Sequence, residues 1–167
     1  MADPVWIIDT SSIIEIRRSV PVTDRARLFA RLTTLVQEGR LKFPKQVIEE
    51  LRRAATPDRR DTQLDWAGRV VADACSAGPT LEEVKEVLSR VRDVLDPSKD
   101  SGADEADPYV LAIAARLRAE GFDARIVTQE TKDSPQKISL NTAAGLLGIP
   151  SVPLRGLLRA EGLEHVS

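Results

Sequence analysis

Short apolar runs that alternate with helical patterns are the feature that most constrains the fold of this 167-residue chain. The first run, residues 5–8, is rich in β-forming residues and ends at Asp9. Similar runs predict strands at residues 41–43, 125–128 and 149–152. Strands that alternate with helices predict an α/β fold, here a three-layer α/β/α sandwich around a central, mainly parallel sheet of about four strands. The length is that of one domain, predicted to span residues 1–167.

Helices are predicted wherever apolar residues recur on one helical face. Thr80 and Glu83 have the spacing of a capping box, which marks one helix start, and Gly39 and Gly121 follow two helices as stops. Pro44 is expected at the first position of another helix. Besides helices after Asp9 and Pro153, the predicted helical segments are residues 23–38, 44–55, 62–77, 81–95, 108–120 and 141–147.

The composition excludes several classes of function. Cys75 is the only cysteine and His165 the only histidine, which rules out a disulfide framework and argues against zinc sites and Ser-His-Asp triads. The chain has no run of about 18 apolar residues, so no membrane-spanning helix is predicted. The first residues lack the basic and then apolar order of a signal peptide, so a cytoplasmic protein is expected. Carboxylates, hydroxyls and basic side chains remain for chemistry.

Four carboxylates stand near the predicted strand ends. Asp9 ends the first strand, Glu130 lies two residues past the third, and Asp107 directly precedes the helix that leads into the third strand. Glu50 lies in the helix after the second strand. Sites on open parallel sheets form outside the carboxyl ends of the strands. We therefore expect these four side chains to meet at one edge of the sheet.

The helical wheel selects Glu50 over its neighbour Glu49. At 100° per residue from Val47, the apolar positions of this helix cover about −20° to +100°. Glu50 falls near −60°, at the border of the apolar face, whereas Glu49 falls near 200° and points to solvent. Only Glu50 can reach the edge of the core.

Each carboxylate also has a purely structural interpretation. Asp9 and Asp107 are natural helix N-caps, the latter because it precedes a proline. Glu50 is also placed to pair with a neighbouring arginine, and Glu130 can be an ordinary loop charge. Four further acidic residues near these positions are expected to be solvated or to support the site from behind: Glu15, Asp104, Glu105 and Asp133.

Over nearly the whole chain, the sequence resembles a PIN domain, the fold of VapC-type toxin ribonucleases. The resemblance depends on the order of five motifs: Val5-Trp-Ile-Ile-Asp9-Thr-Ser11-Ser, Phe43-Pro-Lys-Gln-Val-Ile-Glu-Glu50-Leu, Ala106-Asp107-Pro-Tyr-Val-Leu-Ala-Ile-Ala114, Ile126-Val-Thr128-Gln-Glu130 and Leu146-Leu-Gly148-Ile-Pro150-Ser-Val. The chain departs from the family in two ways. Glu130 stands where many relatives have Asp, and residues 56–101 form a longer helical middle section than compact relatives carry. The longer middle section implies a larger PIN-like branch, and the longer side chain of Glu130 leaves open whether it binds a metal directly or through a water.

The resemblance implies a metal-dependent endoribonuclease, the toxin of a toxin–antitoxin system. Its catalytic and metal-binding residues would be Asp9, Glu50, Asp107 and Glu130, supported by Ser11, Thr128 and Asp104. Clustered carboxylates repel one another and need a counter-charge, which a divalent cation supplies. Ligands that are all oxygens favour Mg²⁺ or Mn²⁺.

The resemblance also implies partners. These are an RNA substrate, an antitoxin protein and a second copy of the chain, the last also suggested by the apolar stripe of the helix at residues 81–95. Basic residues beside the acidic motifs are expected to bind RNA phosphates: Arg17, Arg18, Arg52, Arg53, Lys132 and Lys137. Aromatic residues are only 4% of the chain, which argues against extensive base stacking.

Two other functions are compatible with the sequence. The first is a PIN-like scaffold that has the same fold and binds RNA or protein without cleaving it. Glu130, which stands where many relatives have Asp, is compatible with this function. A phosphotransfer domain with Asp9 as nucleophile is disfavoured, because its pattern requires a second Asp where this chain has Ser11.

Overall fold

A computed structural model describes residues 2–57, 60–76, 78–95 and 105–164. It contains a four-stranded sheet in the order β2-β1-β3-β4, and every neighbouring pair is parallel. The strands are β1 (Val5–Ile8), β2 (Leu41–Lys42), β3 (Ala124–Val127) and β4 (Ser151–Val152). The predicted α/β/α fold and all four predicted strands are confirmed.

The helices follow the predicted order with shifted ends. They are α1 (Thr10–Ser19), α2 (Val22–Gln37), α3 (Gln46–Ala54), α4 (Thr62–Ala74), α5 (Leu81–Arg90), α6 (Asp107–Ala119), α7 (Leu140–Leu146) and α8 (Leu154–Ala160), and a 3-10 turn covers Arg92–Val94. Gly39 and Gly121 end α2 and α6 with φ of 74° and 94°, which suits glycine.

Two predicted helix boundaries were wrong. Pro44 is not the first residue of α3, because it forms a turn just before the helix in which Val47 N–H donates to its carbonyl at 3.0 Å. The helix predicted over residues 81–95 ends at Arg90, since the chain at Val91 leaves helical geometry and continues as the 3-10 turn.

The central strand β1 divides the core into two layers. Trp6 and Ile8 face one cluster, built with α1–α4 and α8, whereas Val5 and Ile7 face another, built with α5, α6 and α7. All four side chains are buried, and burying a large apolar side chain contributes about 1.5–3 kcal/mol. β1 is therefore paired on both edges and covered on both faces, which fixes the position of its carboxyl end.

Buried polar groups next to β1 find partners across the chain. The Trp6 indole N–H donates to Glu161 at 3.0 Å, and the Arg40 guanidinium donates to the same carboxylate oxygen at 2.5 Å. The Arg125 guanidinium lies 5.7 Å from the centre of the Trp6 ring. These contacts tie β1, β3 and the end of α8 together.

The long middle section contributes a helix to each layer. The predicted capping box of Thr80 and Glu83 begins α5, whose Val84 and Val87 are buried against the second cluster, while α4 joins the first. The apolar stripe of α5 is therefore used in the core of the chain itself. Within this section, residues 58–59, 77 and 96–101 lie outside the described ranges. Among the helices described, none is both long and apolar enough to cross a bilayer.

Candidate metal centre

Asp9 lies at the carboxyl end of β1 and is 2% exposed. It is the N-cap of α1, and its Oδ1 accepts the Ser12 N–H at 2.9 Å. The Ser11 hydroxyl donates to Oδ1 at 2.8 Å, and the Thr128 hydroxyl donates to Oδ2 at 2.5 Å. The capping interpretation of Asp9 is thus correct, but three donors around one carboxylate also fix its orientation toward the cleft.

Burial raises the pKa of the Asp9 carboxyl to about 6. The hydrogen bonds from Thr128, the Ser12 N–H and Ser11 act in the opposite direction, because they favour the ionised form. Desolvation exceeds their combined effect, so Asp9 is a carboxylate that would gain from a nearby cation.

Asp107 and Glu130 approach Asp9 from two other parts of the chain. Each residue offers one carboxylate oxygen, and these three oxygens lie within 4.8 Å of one another. Asp107 is the first residue of α6, with Ala106 as the N-cap, so its predicted alternative role as the cap was wrong. Glu130 follows β3, and its N–H donates to the Thr128 hydroxyl at 3.0 Å.

The cluster lacks enough positive charge to keep every member ionised. Burial raises the pKa of Asp107 to about 8, the charge of Glu130 adds to this rise, and the ammonium of Lys137 opposes it. Asp9 and Glu50 raise this pKa further through their charges. An all-oxygen donor set with such mutual repulsion fits Mg²⁺ or Mn²⁺.

Glu50 lies on the same cleft but outside the three-carboxylate cluster. Its Oε1 accepts the Thr10 hydroxyl at 2.5 Å, and its Oε2 accepts the Ala106 N–H at 3.3 Å. Glu49 instead points to solvent, as the helical wheel predicted, and pairs with Arg52 at 2.7 Å. Glu50 therefore links α3 to the starts of α1 and α6.

The hydroxyls of Ser11 and Thr128 connect the two strand ends. Each hydroxyl donates to Asp9 and also accepts a backbone N–H of the segment after β3, from Gln129 at 3.0 Å and from Glu130 at 3.0 Å respectively. They hold the Asp9 carboxylate and set the path of the chain toward the Glu130 side chain.

Thr128→Val is expected to lower the free energy of unfolding by about 1–3 kcal/mol, because it leaves buried groups of Asp9 and Glu130 without their hydrogen bonds. Urea denaturation measures the loss, and Thr128→Ser should restore most of it. Thr34→Val, which removes an exposed hydroxyl bonded only within α2, is the matched control and should change stability by less than about 0.5 kcal/mol. Equal effects of Thr128→Val and Thr34→Val on the free energy of unfolding would show that the Thr128 hydroxyl does not stabilise the fold.

The sequence prediction underrated Lys137. Its ammonium lies 2.9 Å from Glu130 Oε1 and 3.3 Å from Asp107 Oδ2, inside the site rather than beside it. Burial lowers the pKa of Lys137, but the charges of Asp107 and Glu130 outweigh this and raise it above its ordinary value. Thr10 was also missed as a partner of Glu50, although it directly follows Asp9.

The site opens into a cleft of about 430 Å³. The residues that line it are Asp9, Thr10, Ser11, Ile14, Glu50, Arg53, Ala54, Glu105, Asp107, Glu130 and Lys137. None of these described lining residues is aromatic.

Only part of the predicted basic rim reaches this cleft. Arg53 lines it, while Arg17 and Arg18 are exposed in the last turn of α1, away from its site-forming start. Arg52 pairs with Glu49 and faces solvent. Lys132 is exposed in the segment after Glu130 and is not among the described residues that line the cleft. Asp104, predicted to support the ligands, lies outside the described residues.

Fold and site together define an α/β protein with a buried carboxylate cluster that can hold a divalent cation. The chain belongs to the family described as "Domain of unknown function (DUF4411)", whose model matches residues 6–165. No curated protein matches the chain. The family description names no activity, so the relationship to PIN domains is an interpretation of the motifs.

Proposed function

We propose that this chain is a PIN-like, metal-dependent endoribonuclease that hydrolyses RNA phosphodiester bonds. One observation carries the proposal: oxygens of Asp9, Asp107 and Glu130 lie within 4.8 Å of one another at the end of the central strand. Three separate segments deliver these buried or half-buried carboxylates to an open cleft. Repulsion between these carboxylates does not stabilise the fold, so their clustering supports a functional role.

Each residue of the site has a proposed role that follows from its position. Asp9 and Asp107 would hold a Mg²⁺ or Mn²⁺ ion, which when bound polarises the phosphate and lowers the pKa of a bound water. Glu50, fixed by the Thr10 hydroxyl and the Ala106 N–H, is placed to orient an attacking water. Ser11 and Thr128 keep Asp9 directed into the cleft.

The lining of the cleft supports a substrate read mainly through its phosphates. Arg53 and Lys137 are its cationic residues among those described, and no aromatic ring is present for base stacking. Phosphate contacts supply affinity without sequence information. RNA selection would then depend on the shape of the substrate and on contacts outside the cleft.

A toxin of a toxin–antitoxin system remains the proposed biological role, acting in the cytoplasm and restrained by an antitoxin protein. A small DNA-binding protein encoded directly upstream would support it. A homodimer stays part of the proposal, but the α5 stripe that suggested it is buried inside the chain, and only Leu81 of this helix is a strongly exposed large apolar residue. Light scattering at micromolar concentration decides between monomer and dimer.

Cleavage of a mixed RNA pool by the purified protein tests the proposed activity. We expect fragments with Mn²⁺, none with EDTA, and none with Asp107→Asn, which removes one charge of the cluster. Asp123→Asn, a change of the same kind at an ion pair with Arg125, should cleave normally. Fragments in EDTA, or full cleavage by Asp107→Asn, would contradict a metal mechanism.

A non-cleaving RNA-binding scaffold is the second candidate, and the position of Lys137 favours it. The ammonium already contacts Asp107 and Glu130, so it neutralises part of the cluster without any metal. This candidate predicts RNA binding that EDTA leaves unchanged and no cleavage in Mn²⁺.

A further inference from the structure

We propose that the Lys137 ammonium is a built-in second cation, so that the site takes one divalent ion rather than two. This inference rests on the proposed function, because it concerns the metal content of the same site. A two-ion centre places its metals about 3.5–4 Å apart between shared carboxylates. In this chain, one of those positions is already filled by a side chain.

The contacts of Lys137 define which position is filled. Nζ lies 2.9 Å from Glu130 Oε1 and 3.3 Å from Asp107 Oδ2. A Mg²⁺ ion held by the same two oxygens would lie about 2.0–2.1 Å from each, within the volume that the ammonium occupies. The ammonium and a second ion therefore compete for one place.

The other half of the cluster stays open to a metal. Asp9 has no ion pair with Lys137 among the described residues, and its oxygens are oriented by Ser11, Ser12 and Thr128. The Lys137 ammonium donates to Oδ2 of Asp107, which leaves Oδ1 to bind a metal ion. One ion between Asp9 and Asp107 and one ammonium between Asp107 and Glu130 would share the charge of the cluster.

Lys137 is held in this position by its own segment. The Ser134 N–H donates to the Lys137 carbonyl at 2.9 Å, and the Lys137 N–H donates to the Ser134 hydroxyl at 3.2 Å. The next residue, Ile138, donates its N–H to the Asp93 carbonyl at 2.8 Å. The Lys137 side chain is only 19% exposed. These contacts hold Lys137 at the cleft, whereas the side chain of an exposed surface lysine is free to change its conformation.

The longer fourth acidic residue fits the same arrangement. Glu130 is one methylene longer than an aspartate and makes the shorter of the two contacts with Lys137. We infer that Glu130 serves chiefly to hold the ammonium, while Asp9 and Asp107 are the metal ligands.

Titration calorimetry with Mn²⁺ tests the inference through the number of ions bound. We expect one ion in the unchanged protein and two in Lys137→Met, which removes the charge but keeps the length of the side chain. Electron paramagnetic resonance should then show spin coupling between two Mn²⁺ ions only in Lys137→Met. Lys85→Met, at an exposed lysine on α5, is the control and should bind one ion.

Two ions in the unchanged protein, or one ion in a folded Lys137→Met, would overturn the role of Lys137. If Lys137→Met does not fold, the count in the unchanged protein still decides, and Lys137→Arg should keep it at one. RNA cleavage with two bound ions would refute this inference alone. Absence of both Mn²⁺ binding and cleavage in the unchanged protein would instead refute the proposed function.

Discussion

Asp9→Asn is expected to lower metal-dependent RNA cleavage by at least about 100-fold and to leave the metal-free protein as stable as before. The hydrogen-bond partners of metal ligands are already worth about 10–100-fold, so removal of a ligand charge should cost at least the upper value. Asn can still accept the Ser12 N–H as the cap of α1. It also removes a charge that burial disfavours.

Melting temperatures with and without Mn²⁺, together with cleavage of an RNA pool, measure both parts of this prediction. Stabilisation by a ligand follows its affinity for the folded state, so the rise in melting temperature caused by Mn²⁺ should shrink in Asp9→Asn. Asp61→Asn is the matched control, because Asp61 caps α4 through the Leu64 N–H and lies away from the cleft. It should leave cleavage and the Mn²⁺ effect unchanged. Full cleavage by Asp9→Asn would refute Asp9 as a ligand.

The metal-free protein is expected to lose stability as the pH rises from about 4 to about 8. The fold raises the pKa of Asp107 from 3.8 to about 8 and that of Asp9 from 3.8 to about 6. In this window the folded state binds more protons than the unfolded state, so an increase in pH favours unfolding. Because one pKa unit corresponds to 1.36 kcal/mol, the titration of Asp107 between pH 5 and pH 8 and of Asp9 between pH 5 and pH 6 gives an expected loss on the order of 5 kcal/mol.

Urea denaturation in EDTA at several pH values measures this dependence. Asp107→Asn should flatten most of it, because the residue with the larger rise in pKa is then uncharged at every pH. Asp123 has a lowered pKa from its hydrogen bonds with Arg125, so it contributes stability above its unfolded pKa and loses it only in acid. Asp123→Asn should therefore leave the slope between pH 5 and pH 8 unchanged. A protein that gains stability over this range would contradict the raised pKa values.

The sheet and two of the carboxylates, Asp9 and Glu50, were predictable because simple rules fix them. Buried parallel strands read as short apolar runs, and Asp9 directly ends such a run. The border position of Glu50 follows from helical geometry, which separated it correctly from Glu49. These are local patterns whose consequence for the fold is nearly unambiguous.

The counter-charge and the hydrogen-bond partner of Glu50 were not predictable in the same way. Lys137 reaches Glu130 and Asp107 only because the segment after β3 folds back over the cleft, and no periodicity reports that path. The hydrogen bond from Thr10 to Glu50 joins α1 and α3. The two residues are neighbours in space but lie 40 positions apart in the sequence.

The central position of β1 also bears on the order in which the chain is made. Asp9 is synthesised early, but its N–H bonds the carbonyl of Val127, and its carboxylate meets a hydroxyl 119 positions later. Domains generally fold as units during synthesis, and pairing between distant segments is slow because of the entropy of loop closure. The carboxylates therefore cannot assemble on a ribosome-bound chain until about four-fifths of the sequence has been translated. Truncated products that end before β3 would carry Asp9 without Thr128 and without Glu130.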